Sequence, residues 1–136
     1  MDSFFPIAIG VLFSLAVIAF ARSWGPHREL LIYGLGLGTP GAIYMGFAVA
    51  CNAYSSIPME LLDAGFFGGL GALGIWRWPA VLAVGWAGHV AWDLLVVKAS
   101  VTRYAPDYLP ALCIGFDLFL AGYIAGMVWP GRNTPS

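Results

Sequence analysis

Residues 80–97 have the sequence AVLAVGWAGHVAWDLLVV, an apolar stretch whose two ionisable residues are His89 and Asp93. Its length is close to the roughly 20 residues that an α-helix needs to cross a bilayer. The whole chain has the same character, since 60% of its residues are hydrophobic, 10% are charged and the mean hydropathy is +0.83. A soluble domain carries about 25% charged residues. We therefore predict an all-α integral membrane protein.

The composition excludes several other classes of protein. A chain of 136 residues forms one domain, and its seven acidic and six basic residues nearly cancel, which leaves no electrostatic footprint for a nucleic acid. Two cysteines, Cys51 and Cys113, are too few for a disulfide framework and form no C-x-x-C pair. Both lie near the predicted outer face, so the sequence leaves open whether they pair or stay as free thiols.

Five stretches are apolar enough to be membrane spans, or nearly so. The third is the weakest because it contains Glu60 and Asp63, and four spans with one re-entrant segment are the competing interpretation. Asp2 stands where a secretory signal peptide carries Lys or Arg, so we expect the first stretch to be retained as a helix. We predict a compact bundle of five transmembrane helices over residues 1–131 and a short cytoplasmic tail at 132–136. The five stretches are Phe4–Ala21, Leu30–Cys51, Pro58–Ile75, Ala80–Val97 and Ala111–Val128.

The distribution of basic and aromatic residues predicts the orientation. With five spans, one side of the membrane carries four arginines and the other carries one lysine and one arginine. The positive-inside rule then places the N-terminus outside and the C-terminus in the cytoplasm. We expect His27, Arg28 and Glu29 to form a solvated inner loop or to meet lipid headgroups. The inner side has Arg22, Arg28, Arg77, Arg132, Trp24, Trp76, Trp78 and Trp129; the outer side has Lys98, Arg103, Tyr54, Tyr104 and Tyr108.

Small residues predict how the helices pack. Helices in lipid associate by close backbone approach, for which two small residues four positions apart are typical. Pro40 lacks an amide hydrogen in the middle of the second span, so we predict a kink near Thr39. The small-residue pairs are Gly34 and Gly38, Gly65 and Gly69, and Gly122 and Gly126.

The ionisable residues inside the predicted spans are the strongest indication of function. A charged residue at mid-bilayer costs about 2.5–3.5 kcal/mol on insertion scales, so such residues generally face protein or water. His89 lies near the middle of the fourth span and Asp93 one helical turn nearer the outside. Glu60, Asp63 and Asp117 lie in the outer parts of their own spans. We therefore expect four carboxylates and one imidazole, from three helices, to meet in the outer half of the membrane.

The spacing of these residues supports a shared site. His89 and Asp93 are four residues apart and lie on one helix face, and Glu60 and Asp63 are three residues apart. Cys113 and Asp117 are likewise four apart. Carboxylates crowded in a low dielectric cannot all ionise, so a protonated carboxylic acid can serve as a general acid and the imidazole as its partner base.

From this pattern we hypothesise a membrane-embedded enzyme that performs acid–base chemistry on a hydrophobic lipid or isoprenoid substrate, of the cyclisation, isomerisation or hydration type. Asp93 and Asp117 would be the proton donor and the charge stabiliser, His89 the base and Glu60 a second acid. We predict no metal and no cofactor, because one histidine among carboxylates is a poor site for a soft metal. Substrate binding is assigned to Trp86, Trp92, Asp63 and Tyr44, and an indole ring can stabilise a passing cation by roughly 0.5–2 kcal/mol.

Two other functions are consistent with the same residues. A carrier or sensor would use the carboxylates to bind a proton or a cation, and a chain of this length would then need to form a homo-oligomer to build a pathway. A structural subunit of a membrane complex would use them only to hold helices together. In that case we would expect Asp93 to form an ion pair with Lys98 or Arg103.

Residues 85–93, GWAGHVAWD, resemble the G-W-x-x-H-x-x-W-D pattern of a functionally uncharacterised family of small bacterial integral membrane proteins. The likeness extends from residues 25–29, through Glu60, to the segment from Cys113 to Asp117. In that family a pair of histidines often follows the W-D, whereas this chain has Val96 and Val97 there. The resemblance implies a helical bundle in the bacterial inner (plasma) membrane and supplies no activity.

Overall fold

The computed structural model describes residues 4–97 and 104–129, which are mainly helical with short connections, and no strand occurs among them. The predicted tail at 132–136, together with Lys98 and Arg103, lies outside these ranges. A 3-10 turn at Tyr54–Ser56 precedes the fourth helix, and a π-helical turn at Asp93–Val97 continues the fifth. The helices are α1 (Phe4–Arg22), α2 (Pro26–Gly36), α3 (Thr39–Ala50), α4 (Ile57–Trp76), α5 (Ala80–Trp92) and α6 (Leu109–Val128).

Within the part of the chain that the structure describes, three helical stretches are long and apolar enough to cross a membrane. They are Phe4–Arg22 with 19 residues, Pro26–Ala50 with 25 and Leu109–Val128 with 20. A shorter apolar helix covers Ala80–Val96. The surface agrees with a lipid environment, because many large hydrophobic side chains are exposed while several acidic side chains are buried.

The second predicted span is divided into two helices. Helix α2 ends at Gly36 and α3 begins at Thr39, so the break lies where Pro40 led us to predict a kink. Pro40 occupies the first turn of α3, where its missing amide hydrogen is not needed by the helix. The break therefore gives α3, whose buried face includes Tyr44, a helix axis separate from that of α2.

Close backbone contacts join α4 to the pair formed by α2 and α3. A Cβ added at Gly34 would clash with the Ile75 side chain and the carbonyl oxygen of Gly71, and one added at Gly41 would lie 2.6 Å from the amide nitrogen of Ala64. Gly38 lies against Gly68 in the same interface. These positions allow the helices to approach because glycine has no side chain.

The predicted pairs on α4 and α6 do not all make such contacts. A Cβ at Gly65, Gly69 or Gly122 would meet no atom within 4 Å. Helix α6 instead packs against α1 through Gly115, where a Cβ would clash with the carbonyl group of Ile7. The spacing of two glycines identifies a small-residue face, and it does not determine which face a neighbouring helix covers.

Replacing Gly115 with alanine is expected to destabilise the protein, because the added Cβ would push α1 away from α6. Overpacking of this kind typically costs about 1–3 kcal/mol. The measurement is thermal unfolding in detergent, with Gly122→Ala as the matched control. Both substitutions raise helix propensity equally, so a control that loses as much stability as Gly115→Ala would contradict the packing of α1 on α6.

Candidate functional site

His89 is the centre of a buried polar cluster between three helices. Its side chain on α5 has no exposed surface, and its Nδ1 lies 2.7 Å from Oδ2 of Asp117 on α6. With Asp117 ionised, Nδ1–H is the donor in this pair, because a carboxylate only accepts hydrogen bonds. Oδ2 of Asp93 lies 3.7 Å from the same nitrogen. Two carboxylates therefore face one edge of the imidazole.

The opposite edge of the imidazole faces α4. Nε2 of His89 lies 3.5 Å from Oδ2 of Asp63, and no hydrogen bond to this nitrogen forms among the described residues. Asp63, Asp93 and Asp117 are each 1% exposed. We refer to Asp63, His89, Asp93 and Asp117 as the His89 cluster.

The local sequence explains why these side chains meet. His89 lies on α5, and Asp93, one turn later, begins the π-helical turn that continues α5. Single π-helical turns occur frequently at functional sites. On α4 the buried residues recur every three or four positions, as expected for one helix face: Glu60, Asp63, Phe67, Gly71 and Gly74.

Several polar atoms of this region have no hydrogen-bond partner among the described residues. Both carboxylate oxygens of Asp63 and of Asp93 are buried and unpaired, and so are Oε2 of Glu60 and the hydroxyl of Tyr44. Each such group costs about 1–3 kcal/mol of stability. Proteins usually satisfy buried polar groups, so a concentration of unpaired ones needs an explanation other than helix packing.

The charge of the cluster also needs compensation. Three ionised aspartates and a protonated His89 would leave a net charge of −2 away from water, which is strongly unfavourable. Among residues 4–97 and 104–129, His89 is the only ion-pair partner found for these carboxylates. Lys98 and Arg103, the partners considered for Asp93, lie outside the described residues. Within the described structure, the negative charge of these carboxylates must be offset by bound protons or by a bound cation.

Glu60 lies one turn before Asp63 and interacts with the loop that precedes α6. The hydroxyl of Tyr104 donates a hydrogen bond to Oε1 of Glu60. The backbone carbonyl of Tyr104 accepts a hydrogen bond from the Cys51 thiol at 3.4 Å. Burial raises the pKa of the Tyr104 hydroxyl, and the hydrogen bond to Glu60 raises it further. Tyr104 thus stays protonated and pairs with Glu60, which lies one turn before Asp63 on α4.

The residues assigned to substrate binding lie at different distances from the cluster. Tyr44 is buried, and its hydroxyl has no hydrogen-bond partner among the described residues. Trp92 is partly buried, and its ring centroid lies 6.0 Å from that of Phe67. Trp86 is directed elsewhere: its indole Nε1 donates to the carbonyl oxygen of Tyr33 at 3.2 Å. Asp63 is part of the cluster itself.

Sequence reasoning missed two residues of this region. The ring of Phe67 packs edge-on against the His89 imidazole with a centroid distance of 4.9 Å. Phe67 lies four residues after Asp63, so its position on the α4 face was available in the sequence. Tyr104 comes from a loop, where no periodicity indicates which side chain turns inwards.

A second buried acid lies outside the cluster. Glu29 was expected in a solvated loop, but it is 5% exposed. Its Oε1 accepts hydrogen bonds from Tyr33 at 2.9 Å and from Tyr123 at 2.7 Å. The expectation was wrong because Glu29 lies in the first turns of α2, on the face that packs inwards, whereas His27 and Arg28 are exposed.

Both cysteines are free thiols, which answers the question that the sequence left open. Comparison of the chain with protein-family models, curated proteins and solved structures finds no match. The resemblance of residues 85–93 to a membrane-protein family therefore stays a prediction.

The bond between His89 and Asp117 predicts a distinct signal in nuclear magnetic resonance. The chain has two histidines, and only His89 is buried. We expect one imidazole N–H that exchanges slowly with water and resonates far downfield because its acceptor is a carboxylate. Asp117→Asn should move this signal upfield, since a hydrogen bond to a neutral amide is weaker.

Glu29→Gln is the control for this measurement, because it changes a buried carboxylate outside the cluster. The signal should be unchanged in that variant. A rapidly exchanging His89 proton, or a shift equally large in Glu29→Gln, would contradict the geometry.

Proposed function

We propose that the protein crosses the bacterial inner membrane five times, with its N-terminus outside and its C-terminus in the cytoplasm. Helix α4 has 20 residues and is continuous, which corresponds to about 30 Å at the α-helical rise. Helix α5 and its π-helical turn cover the length of an 18-residue span. Exposed tryptophans support the inner boundary, and the guanidinium groups of Arg28 and Arg77 lie over two of them, Trp24 and Trp78.

We propose further that the His89 cluster performs acid–base chemistry on a hydrophobic, lipid-derived substrate. The observation that carries this proposal is the His89–Asp117 hydrogen bond with Asp93 beside the same nitrogen. A carboxylate that accepts from one imidazole nitrogen fixes the ring and leaves the other nitrogen to exchange protons. Nε2 is that second nitrogen in this cluster, and Asp63 is its nearest acidic group.

The proposed reaction is proton transfer to and from carbon. A protonated aspartic acid of the cluster donates its proton to one carbon of a double bond, and the electron pair of that bond forms the new C–H bond. The other carbon of that bond becomes cationic, a carbon next to it loses a proton to His89 or to a carboxylate, and the electron pair of the broken C–H bond forms the new double bond. Phe67 and Trp92 supply aromatic rings beside the site, and such rings stabilise a nearby cation.

Deuterium transfer from solvent to lipid tests this proposal. The protein in vesicles of total bacterial lipid is incubated in D2O, and mass spectrometry then detects deuterium bound to carbon in any lipid. We expect incorporation with the wild-type protein and a loss of at least 100-fold with Asp117→Asn or His89→Gln, since general acid–base catalysis contributes about 10²–10⁴-fold.

The matched control is Glu29→Gln, a carboxylate-to-amide change outside the cluster that keeps an acceptor oxygen for Tyr33 and Tyr123. It should incorporate deuterium at the wild-type rate. Incorporation that survives Asp117→Asn, or that never exceeds the rate of protein-free vesicles, would contradict the proposed chemistry.

A second candidate function is proton or cation binding in a carrier or a sensor. The unpaired carboxylate oxygens of Asp63 and Asp93 favour it, because they are buried acceptors that receive no hydrogen bond from residues 4–97 or 104–129. Such a protein would bind and release an ion without changing a lipid. A homo-oligomer would then complete the pathway across the membrane.

A further inference from the structure

Three residues of the His89 cluster have the arrangement of a metal-ion site. One ligand atom from each of His89, Asp93 and Asp117 lies within 4.8 Å of the others, and all three side chains are buried. Ligands bound at about 2.1 Å to a common ion are about 3.0–3.5 Å apart. The separations from Nδ1 of His89, 2.7 Å to Asp117 and 3.7 Å to Asp93, lie on either side of that range. The remaining separation, between the ligand oxygens of Asp93 and Asp117, is within 4.8 Å, so the two carboxylates would have to move closer together to share one ion.

The unpaired state of Asp93 is an independent indication of a ligand. Its side chain is 1% exposed, and both of its oxygens lack a hydrogen-bond partner among the described residues. Oδ2 is nevertheless directed towards Nδ1 of His89. A cation between these atoms would satisfy the carboxylate and would offset the negative charge of the cluster.

Asp63 has the position of a residue that orients a metal-binding histidine. Histidines that bind a metal through one nitrogen commonly donate the other N–H to a carboxylate, which fixes the ring and makes it a better ligand. Oδ2 of Asp63 lies 3.5 Å from Nε2 on the edge opposite to Asp93 and Asp117. Asp63 on one side of the imidazole therefore orients the ring, while Asp93 and Asp117 on the other side have the position of metal ligands.

We propose that Nδ1 of His89, together with Asp93 and Asp117, binds a divalent transition-metal ion of the Mn²⁺ or Zn²⁺ type. Two carboxylates suit Mn²⁺, and the imidazole selects against Mg²⁺ and Ca²⁺, which prefer oxygen ligands. One histidine among carboxylates led us to predict no metal; the orienting position of Asp63 is evident only in the structure. This inference deepens the proposed function and rests on its premise that the cluster is a site. With the ion bound, Nδ1 carries no hydrogen, so the His89–Asp117 hydrogen bond and its resonance belong to the metal-free protein. Proton exchange in the metal-bound protein takes place at Nε2, beside Asp63.

Metal binding is measured on the full chain, without an affinity tag, by thermal unfolding in detergent after treatment with a chelator. We expect saturating Mn²⁺ or Zn²⁺ to raise Tm by several degrees, because an ion that binds only the folded state stabilises it. Mg²⁺ and Ca²⁺ at the same concentration should have little effect. Bound metal after dialysis should approach one ion per chain.

Isosteric variants distinguish the ligands from the orienting residue. Asp93→Asn and Asp117→Asn should abolish the rise in Tm, whereas Asp63→Asn should weaken metal affinity by about 10–100-fold. Glu29→Gln should bind as the wild type does, and so should Cys51→Ser, which removes an exposed thiol that can bind Zn²⁺. Absence of a rise in Tm with either metal, or a rise that persists in both ligand variants, would overturn the proposal.

The deuterium-transfer experiment separates this inference from the proposed function. Deuterium incorporation without metal-dependent stabilisation would overturn the metal site and leave acid–base chemistry standing. Metal-dependent stabilisation that requires Asp93 and Asp117 supports the metal site even where no lipid acquires deuterium, a result that would instead contradict the enzymatic function.

Discussion

Burial of an imidazole between carboxylates is the interaction on which the arrangement of the helices around the site depends. His89 has no exposed surface and is surrounded by acidic groups from α4, from the π-helical turn after α5 and from α6. Removing charged groups from water is so unfavourable that they must be compensated by one another, by protons or by an ion. A displacement of α4 would separate Asp63 from His89, and a displacement of α6 would separate Asp117 from it, so that the displaced carboxylate would lose its ion-pair partner. The cluster therefore restricts how these three helices can pack.

The glycines provide the space in which this cluster can form. Contacts of Gly34, Gly38 and Gly41 with α4 bring the broken second span against the helix that carries Asp63. A Cβ at Gly74 would clash with Leu82 on α5. The close approach of helices on both sides of α4 is stabilised by van der Waals packing between backbones, the interaction that associates helices in lipid. Helix packing and the polar site thus depend on the same helix faces.

Much of the helical structure could be predicted from sequence because long apolar stretches have few alternatives in a bilayer. The first stretch ends within one residue of the helix, and Pro40 indicated the break in the second. The face of each helix was harder to predict. Gly65 and Gly69 have the spacing of a packing pair and meet no neighbour, and Glu29 is buried next to two exposed residues. Tyr104 belongs to a loop, so only the three-dimensional structure could place it against Glu60.

Glu29 is an example of a buried acid in this protein whose hydrogen bonds hold helices together. One of its oxygens accepts hydrogen bonds from Tyr33 and Tyr123, so the group is paired and joins α2 to α6. Asp63 and Asp93 are buried at least as deeply, and neither has a hydrogen-bond partner among the described residues. Selection for helix packing alone would favour the first arrangement, because unpaired buried oxygens destabilise the fold. The contrast between the two acids within one chain favours a functional role for the His89 cluster over a purely structural one.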